Sequence, residues 1–289
     1  MASGSLNVPT AGHGEPSHPD PGLFGPDSVI WRVNRETVVT LAGTCALLMQ
    51  LAHPLVAAGV RDHSRFADDT AGRLRRTLDL TMTIVFGPRA DALQALRVIN
   101  ARHRTVNGPG YSALDPDLLL WVHATLLYSA LRGYQAFIGP LRQVERDRYF
   151  RDTKQIGTLL GIPREMYPAD IQAFDAYLSG MIERGTVAVG DDARRMGRFV
   201  LEPRIHGVPP IAFAPLRAVT AALLPLPLRD GYGLRLGPAQ RATFAAARLA
   251  LPRLVRIMPK SIRWLPPARE GYRRLRRSQL TSGMPSRVG

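Results

Sequence analysis

Two groups of side chains in this sequence stand where they could do chemistry. Arg73, Arg76 and Thr77 fall at i, i+3 and i+4, so a helix there would carry two guanidinium groups and a hydroxyl on one face. Guanidinium is always charged and presents a planar fork of donors, which suits an anionic group; a solvated, charged helix end has the same pattern. The second group is three histidines in apolar surroundings. His103 continues the series Ala92, Leu96, Ile99, His103, Val106, which advances by steps of four and three and marks the buried seam of a helix. An imidazole on such a seam either satisfies a core hydrogen bond or ligates a metal. His123 sits in the middle of DLLLWVHATLLYSALRGYQAF, apolar almost all round, where its ring must hydrogen-bond, bind metal or face a polar cavity. His53 directly precedes Pro54, which pushes its backbone out of the helical region. It reads as a helix-end residue bonded to the backbone or as one lining a pocket.

The elements that must position these residues are helices. Asp27 is a candidate cap for a short helix through Trp31 and Val33, and residues 35–51 form a strongly apolar helix that breaks at Pro54. Residues 61–72 are a polar connection, with Asp69 or Thr70 capping a helix over 72–86. The next helix spans 89–107, with Gly108 as its C′ residue. GPGYSALDP is a turn-rich loop, and Asp115–Pro116 is a cap followed by proline at the first helical position. Further helices are expected over 140–161, 168–185, 191–201, 238–254 and 269–277, the last strongly basic. His206 falls in a loop, and His13 and His18 in the N-terminal arm. No run of alternating strands appears. The expectation is an all-α multi-helix bundle: a disordered arm over 1–24, one domain over 25–277 and a flexible tail over 278–289.

Composition narrows the function classes. The chain has 289 residues, 45% of them apolar, enough for a sizeable core. The formal charge is +15, carried almost wholly by arginine, since Lys154 and Lys260 are the only lysines. Apart from the C-terminal run the arginines are scattered and not interleaved with aromatics, so no nucleic-acid partner is expected. The basic segment 269–277 is a candidate for peripheral contact with anionic lipid. Cys45 is the only cysteine and lies in an apolar run, where it packs as a small apolar residue. The polar N-terminus has no apolar signal core, so the cytosol, with peripheral membrane attachment left open, is the expected location. The apolar stretch 38–60 is interrupted by Gln50, His53 and Pro54 and makes a poor membrane span. GYGLRLG lacks the strand and spacing of a dinucleotide fingerprint, and no Walker motif, zinc-type cluster, HExxH or nucleophile elbow is present.

Several motifs, in order, carry a family resemblance: LMQLAHPLVAAGVRDHSRF, RLRRT…IVFG, HRTVNG, DPDLLLWVHATL, LLGIP and the LLPLPLR..YGL region. Across residues 24–277 the chain resembles the catalytic-domain superfamily of the fungal MpaB-type oxygenases and the bacterial rubber oxygenase called latex clearing protein. The resemblance implies a globin-like helical core holding haem b, and a haem-dependent oxygenase acting with O2 on a small apolar substrate, isoprenoid or lipid-like. It implies His103 as axial iron ligand, through the pattern H-x-x-V, with His123 in reserve and His53 as a further pocket residue. It places Arg73, Arg76 and Thr77 opposite, on the R-x-x-K-T motif, to orient a propionate or stabilise a bound oxygen species. Here arginine replaces the lysine, and arginine cannot coordinate iron. The chain also has no glutamate where the rubber enzymes place a distal carboxylate. Two rival readings stand beside this one: a non-catalytic haem carrier or sensor, and a helical membrane-surface protein without cofactor.

Overall fold

The computed structural model describes residues 20–63, 70–203 and 207–282. Among them the chain forms fourteen α-helices and a single two-stranded hairpin, an all-α fold. The N-terminal segment is α1 (Val29–Asn34), a 3-10 turn (Thr37–Ala42), α2 (Gly43–Leu51) and α3 (Pro54–His63). The middle is α4 (Thr70–Phe86), α5 (Arg89–His103), the strands β1 (Asn107–Gly108) and β2 (Tyr111–Ser112), α6 (Pro116–Phe137) and α7 (Gln143–Leu159). After these come α8 (Ile171–Glu183), α9 (Asp191–Leu201), α10 (Ala214–Leu223) and α11 (Leu226–Gly231). The chain ends in α12 (Pro238–Ile257), α13 (Lys260–Arg263) and α14 (Pro266–Ser282).

The central element is α6. Asp115 accepts a hydrogen bond from the Asp117 backbone N–H and Pro116 takes the first helical position, as its sequence predicts. Apolar on every side, α6 is wrapped by the 3-10 turn, α1, α2, α7, α10 and α12. The two tryptophans of the core spend their indole N–H groups on backbone carbonyls: Trp121 on Met49 at 3.1 Å and Trp31 on Val85 at 2.8 Å. Each thus buries a large apolar ring without leaving a donor unmet.

Several boundaries differ from the sequence expectation, each for a local reason. Residues 35–51 are not one helix. Glu36 has extended backbone and bridges to Trp264, and the β-branched run from Thr37 to Thr40 takes the 3-10 form before α2 begins. Ser28, not Asp27, accepts from the Trp31 N–H and caps α1. The polar connection starts later than expected, since α3 runs to His63; the capping expected of Asp69 or Thr70, like His13, His18 and His206, lies outside what the structure describes. Likewise α5 stops at His103, and Gly108 is not its C′ residue: Asn107–Gly108 pairs antiparallel with Tyr111–Ser112 across a turn that uses Gly110 at φ 78°. Glu145 reaches back to the Arg142 N–H at 2.8 Å and fixes the start of α7 beyond Pro140. Gly161, at φ 106°, ends that helix. The start of α8 is likewise delayed, to Ile171, because Asp170 accepts from the Ala173 N–H. Part of the N-terminal arm belongs to the body: Phe24 is buried and Asp20 accepts from the Arg89 N–H at 2.7 Å. At the other end α14 continues through Ser282, so the helix outlasts residue 277.

The break at Pro54 is as expected. The segments Thr37–Leu51 and Pro54–His63 meet at 101°. Among the described residues no single helix is long and apolar enough to cross a membrane.

Candidate functional site

The short turn Gly87–Pro88 folds α5 back along α4, and the two helices pack against each other. The first turns of α4, with Arg73, Arg76 and Thr77, therefore lie level with the last turns of α5, which carry Asn100 and His103. Burial grows along α4 in the opposite direction. Arg76 and Thr77 are exposed, whereas Met82, Ile84, Val85 and Phe86 are buried. The Arg73 side chain lies outside the described residues.

His103 is half-buried, and its Nδ1 is shielded from solvent with no hydrogen-bond partner. Three residues earlier, and so on the same face, the side-chain oxygen of Asn100 is shielded and unpartnered too. A buried polar atom left unmet costs about 1–3 kcal/mol. Two such atoms lie on this one helical face. Burial also lowers the His103 pKa, so the ring is held in the neutral form that ligates metal.

The chain after His103 is pinned. The Val106 N–H donates to the His103 carbonyl at 3.0 Å, and the Ala113 N–H to the Val106 carbonyl at 2.9 Å. The buried Tyr111 donates its hydroxyl to Asp62 on α3 at 2.9 Å. Arg61 donates to Asp62 at 2.7 Å and to Asp192 on α9 at 2.5 Å. His63 bonds the Asn107 carbonyl through Nε2 at 2.8 Å. A fixed hairpin and α3 thus hold the end of α5 in place.

The other two histidines lie elsewhere. His53, buried at the α2–α3 break, faces Trp121 at 6.5 Å between ring centroids. Its backbone carbonyl accepts from the Ala57 N–H at 2.9 Å while its Nδ1 is unpartnered, so it is both the helix-end residue and a ring with a spare nitrogen. Burial lowers its pKa, against the opposing pull of Asp115 and Asp117 at the start of α6. His123 points toward α7 and the loop beyond it. It meets the Tyr167 ring edge-on at 5.9 Å, and both its Nε2 and the Tyr167 hydroxyl are buried without partners. Burial brings its pKa down to about 4, opposed only by a hydrogen bond to the Thr153 backbone. Gly157 on α7 is required here, because a Cβ at that position would overlap the Tyr167 hydroxyl.

No ring contact or hydrogen bond joins any two of these histidines among the described residues. Nor do three or more His, Cys, Asp or Glu side chains converge there into a metal cluster. Each of the three histidines keeps one shielded ring nitrogen without a partner, and burial favours the neutral ring in each. A surface depression lined by Arg229, Arg235 and Arg241 lies on the α11–α12 connection and includes none of these residues.

Asn100, Tyr111 and Tyr167 escape the sequence reading. Asn100 carries a usable signal, its three-residue spacing from His103. Tyr111 and Tyr167 act through partners distant in the chain and leave no local pattern.

Compared with known proteins, residues 31–256 match the family described as "ER-bound oxygenase mpaB/B'/Rubber oxygenase, catalytic domain". The chain is 30% identical over 184 residues to the uncharacterized protein Mb2261 of Mycobacterium bovis, an alignment covering 60% of this chain and 68% of that one. It is equally similar, over the same length, to the uncharacterized protein Rv2237 of Mycobacterium tuberculosis. No solved structure matches.

Proposed function

Because the chain belongs to the mpaB/rubber oxygenase catalytic-domain family, an oxygenase family, we propose that it is a haem-b-dependent oxygenase of a small apolar, isoprenoid or lipid-like substrate. The observation that carries the reading is the shielded, unpartnered Nδ1 of His103 beside the unpartnered Asn100 oxygen. In this reading His103 holds the iron, and haem supplies the centre at which O2 is activated. The chain's own residues do the rest. Burial keeps His103 neutral and so available as a ligand. The β1–β2 hairpin and the Asp62–Tyr111 bond hold the backbone that follows His103. Arg73 and Arg76, which share a helical face by their spacing, would pair with an anionic group of the cofactor, and Thr77 would donate a hydrogen bond to it. The exposed Arg76 and Thr77 leave this end of α4 accessible, while the buried Met82, Ile84, Val85 and Phe86 at its other end exclude water.

The test is an absorption spectrum of the protein expressed with added haem, beside His103→Ala and His123→Ala. A Soret band that disappears or shifts in His103→Ala alone is the expected result. Loss in His123→Ala alone transfers the ligand to α6. A folded helical protein with no band in any sample overturns the reading. A band without O2 uptake in the presence of an isoprenoid such as squalene makes the protein a haem carrier instead.

A further inference from the structure

Away from the α4–α5 hairpin, the far side of α12 and α13 presents apolar side chains to solvent. The inner stripe of α12 packs toward α10 and α6, with Phe244 and Leu251 against the core and Val255 buried. The outer stripe is Ala242, Ala246, Leu249, Arg253 and Ile257, at steps of four and three. Leu249 is 62% exposed and Ile257 82%, and Ile262 on α13 is 63% exposed. Three large aliphatic side chains this open, within one helix–turn–helix, are unusual for a surface that faces only water.

The charge around them has one sign. From Gly231 to Arg269 there is no Asp or Glu, while Arg235, Arg241, Arg248, Arg253, Arg256, Lys260, Arg263 and Arg269 are all basic. Arg263 is engaged by Glu36, but Arg241, Arg248, Arg253 and Arg256 are in no salt bridge among the described residues. Arg253 folds back to donate to the Leu249 carbonyl at 2.5 Å, keeping its stem along the apolar stripe. A depression lined by Arg235 and Arg241, and by Arg229 paired with Asp230 at 3.7 Å, opens at the start of the same helix.

We propose that the outer face of α12–α13 docks on an anionic phospholipid surface. Leu249, Ile257 and Ile262 enter the acyl boundary, and Arg253, Arg256 and Lys260 lie at the phosphate level. Charge complementarity selects this occupant. A second copy would bring like charge against like charge. A nucleic acid would find no aromatic to stack on, since Phe244 packs inward and Trp264 is engaged with Arg35 and Lys260. The basic helix α14 is a poorer candidate than its composition suggests. Its apolar residues Ala268 and Leu275 are buried, so its described outer face offers charge without aliphatic side chains. The proposal is independent of the haem reading.

The experiment is co-sedimentation of the full chain with vesicles of phosphatidylcholine alone and with vesicles containing one third phosphatidylglycerol. Binding is expected to the anionic vesicles only, and to weaken with salt. The triple variant Leu249→Ser, Ile257→Ser, Ile262→Ser is expected to bind about tenfold more weakly, as is the pair Arg253→Glu, Arg256→Glu. Both should keep the helical circular dichroism of the parent, because the residues replaced are exposed. Arg273→Glu with Arg276→Glu on α14 should bind as the parent does. As a second readout, Ile257→Trp should shift its emission to the blue only when anionic vesicles are added. Equal binding to neutral and anionic vesicles, or undiminished binding of the triple variant, overturns the proposal. So does loss of binding in the α14 pair alone, or a dimer in the parent that the triple variant abolishes.

Discussion

Two polar regions of this molecule are built on opposite principles. At the clasp between the N- and C-terminal segments, Glu36 is 1% exposed and every charge on it is met. Arg263 grips it with two hydrogen bonds of 2.7 and 2.8 Å, and Arg35 reaches it at 3.2 Å while lying over Trp264. The Arg35 carbonyl also accepts from the Leu265 N–H at 2.8 Å, so backbone and side chain tie the same two segments. At the end of α5, by contrast, His103 and Asn100 each bury a polar atom with nothing to meet it. A buried charge whose partners are all present holds the fold together, whereas a buried polar atom without a partner lowers stability.

Mutation should separate the two most sharply at the clasp. Glu36→Ala leaves two guanidinium groups facing a void and should lower unfolding stability by about 3 kcal/mol, read from urea denaturation. The Soret band proposed for the haem-supplemented protein should be unchanged in the folded fraction, and its selective loss there would mean the clasp and the site are one unit.

Acidity probes the histidines as a group. The folded-state pKa of His123, about 4, lies below the ordinary value of 6.5, so the unfolded chain binds more protons between those limits. Stability is therefore fully present above about pH 6.5 and falls as pH drops toward 4, by on the order of 3 kcal/mol from this group. His103 and His53 are shifted the same way and add to the slope. Denaturation series across this window should flatten in His123→Phe, and an unchanged slope would deny that burial sets this pKa.

A smaller effect is expected where α7 meets Tyr167. Gly157→Ala forces the Tyr167 ring off His123 and should cost about 1–3 kcal/mol, with partial rescue by adding Tyr167→Phe. Thermal midpoints of the single and double variants decide it.

The smallest effect has the opposite sign. Asn100→Leu removes an unmet polar atom, so the cofactor-free protein should gain about 1 kcal/mol while haem affinity drops. Loss of stability instead would place Asn100 in the structural class with Glu36.

Local signals in the sequence carried much of this. The apolar periodicity of α6 and its Asp115–Pro116 start, and the break at Pro54, follow from composition and spacing, which act within a few residues. What the spacing does not contain is which polar atoms are met by distant ones. His103, His123 and His53 look alike as histidines in apolar runs, yet His53 faces Trp121 and His123 faces Tyr167, while His103 closes α5. Glu36 is an unremarkable glutamate until Arg263 arrives from 227 positions away. The end of α5 at His103 follows from the hairpin behind it, and the exposure of Leu249 and Ile257 follows from which face of α12 meets α10 and α6. Helix formation depends on neighbours along the chain, whereas burial and hydrogen-bond satisfaction depend on neighbours in space. The sequence alone therefore determined the helices and their order, and the tertiary structure decided which of their side chains are spent on the fold and which are left for something else.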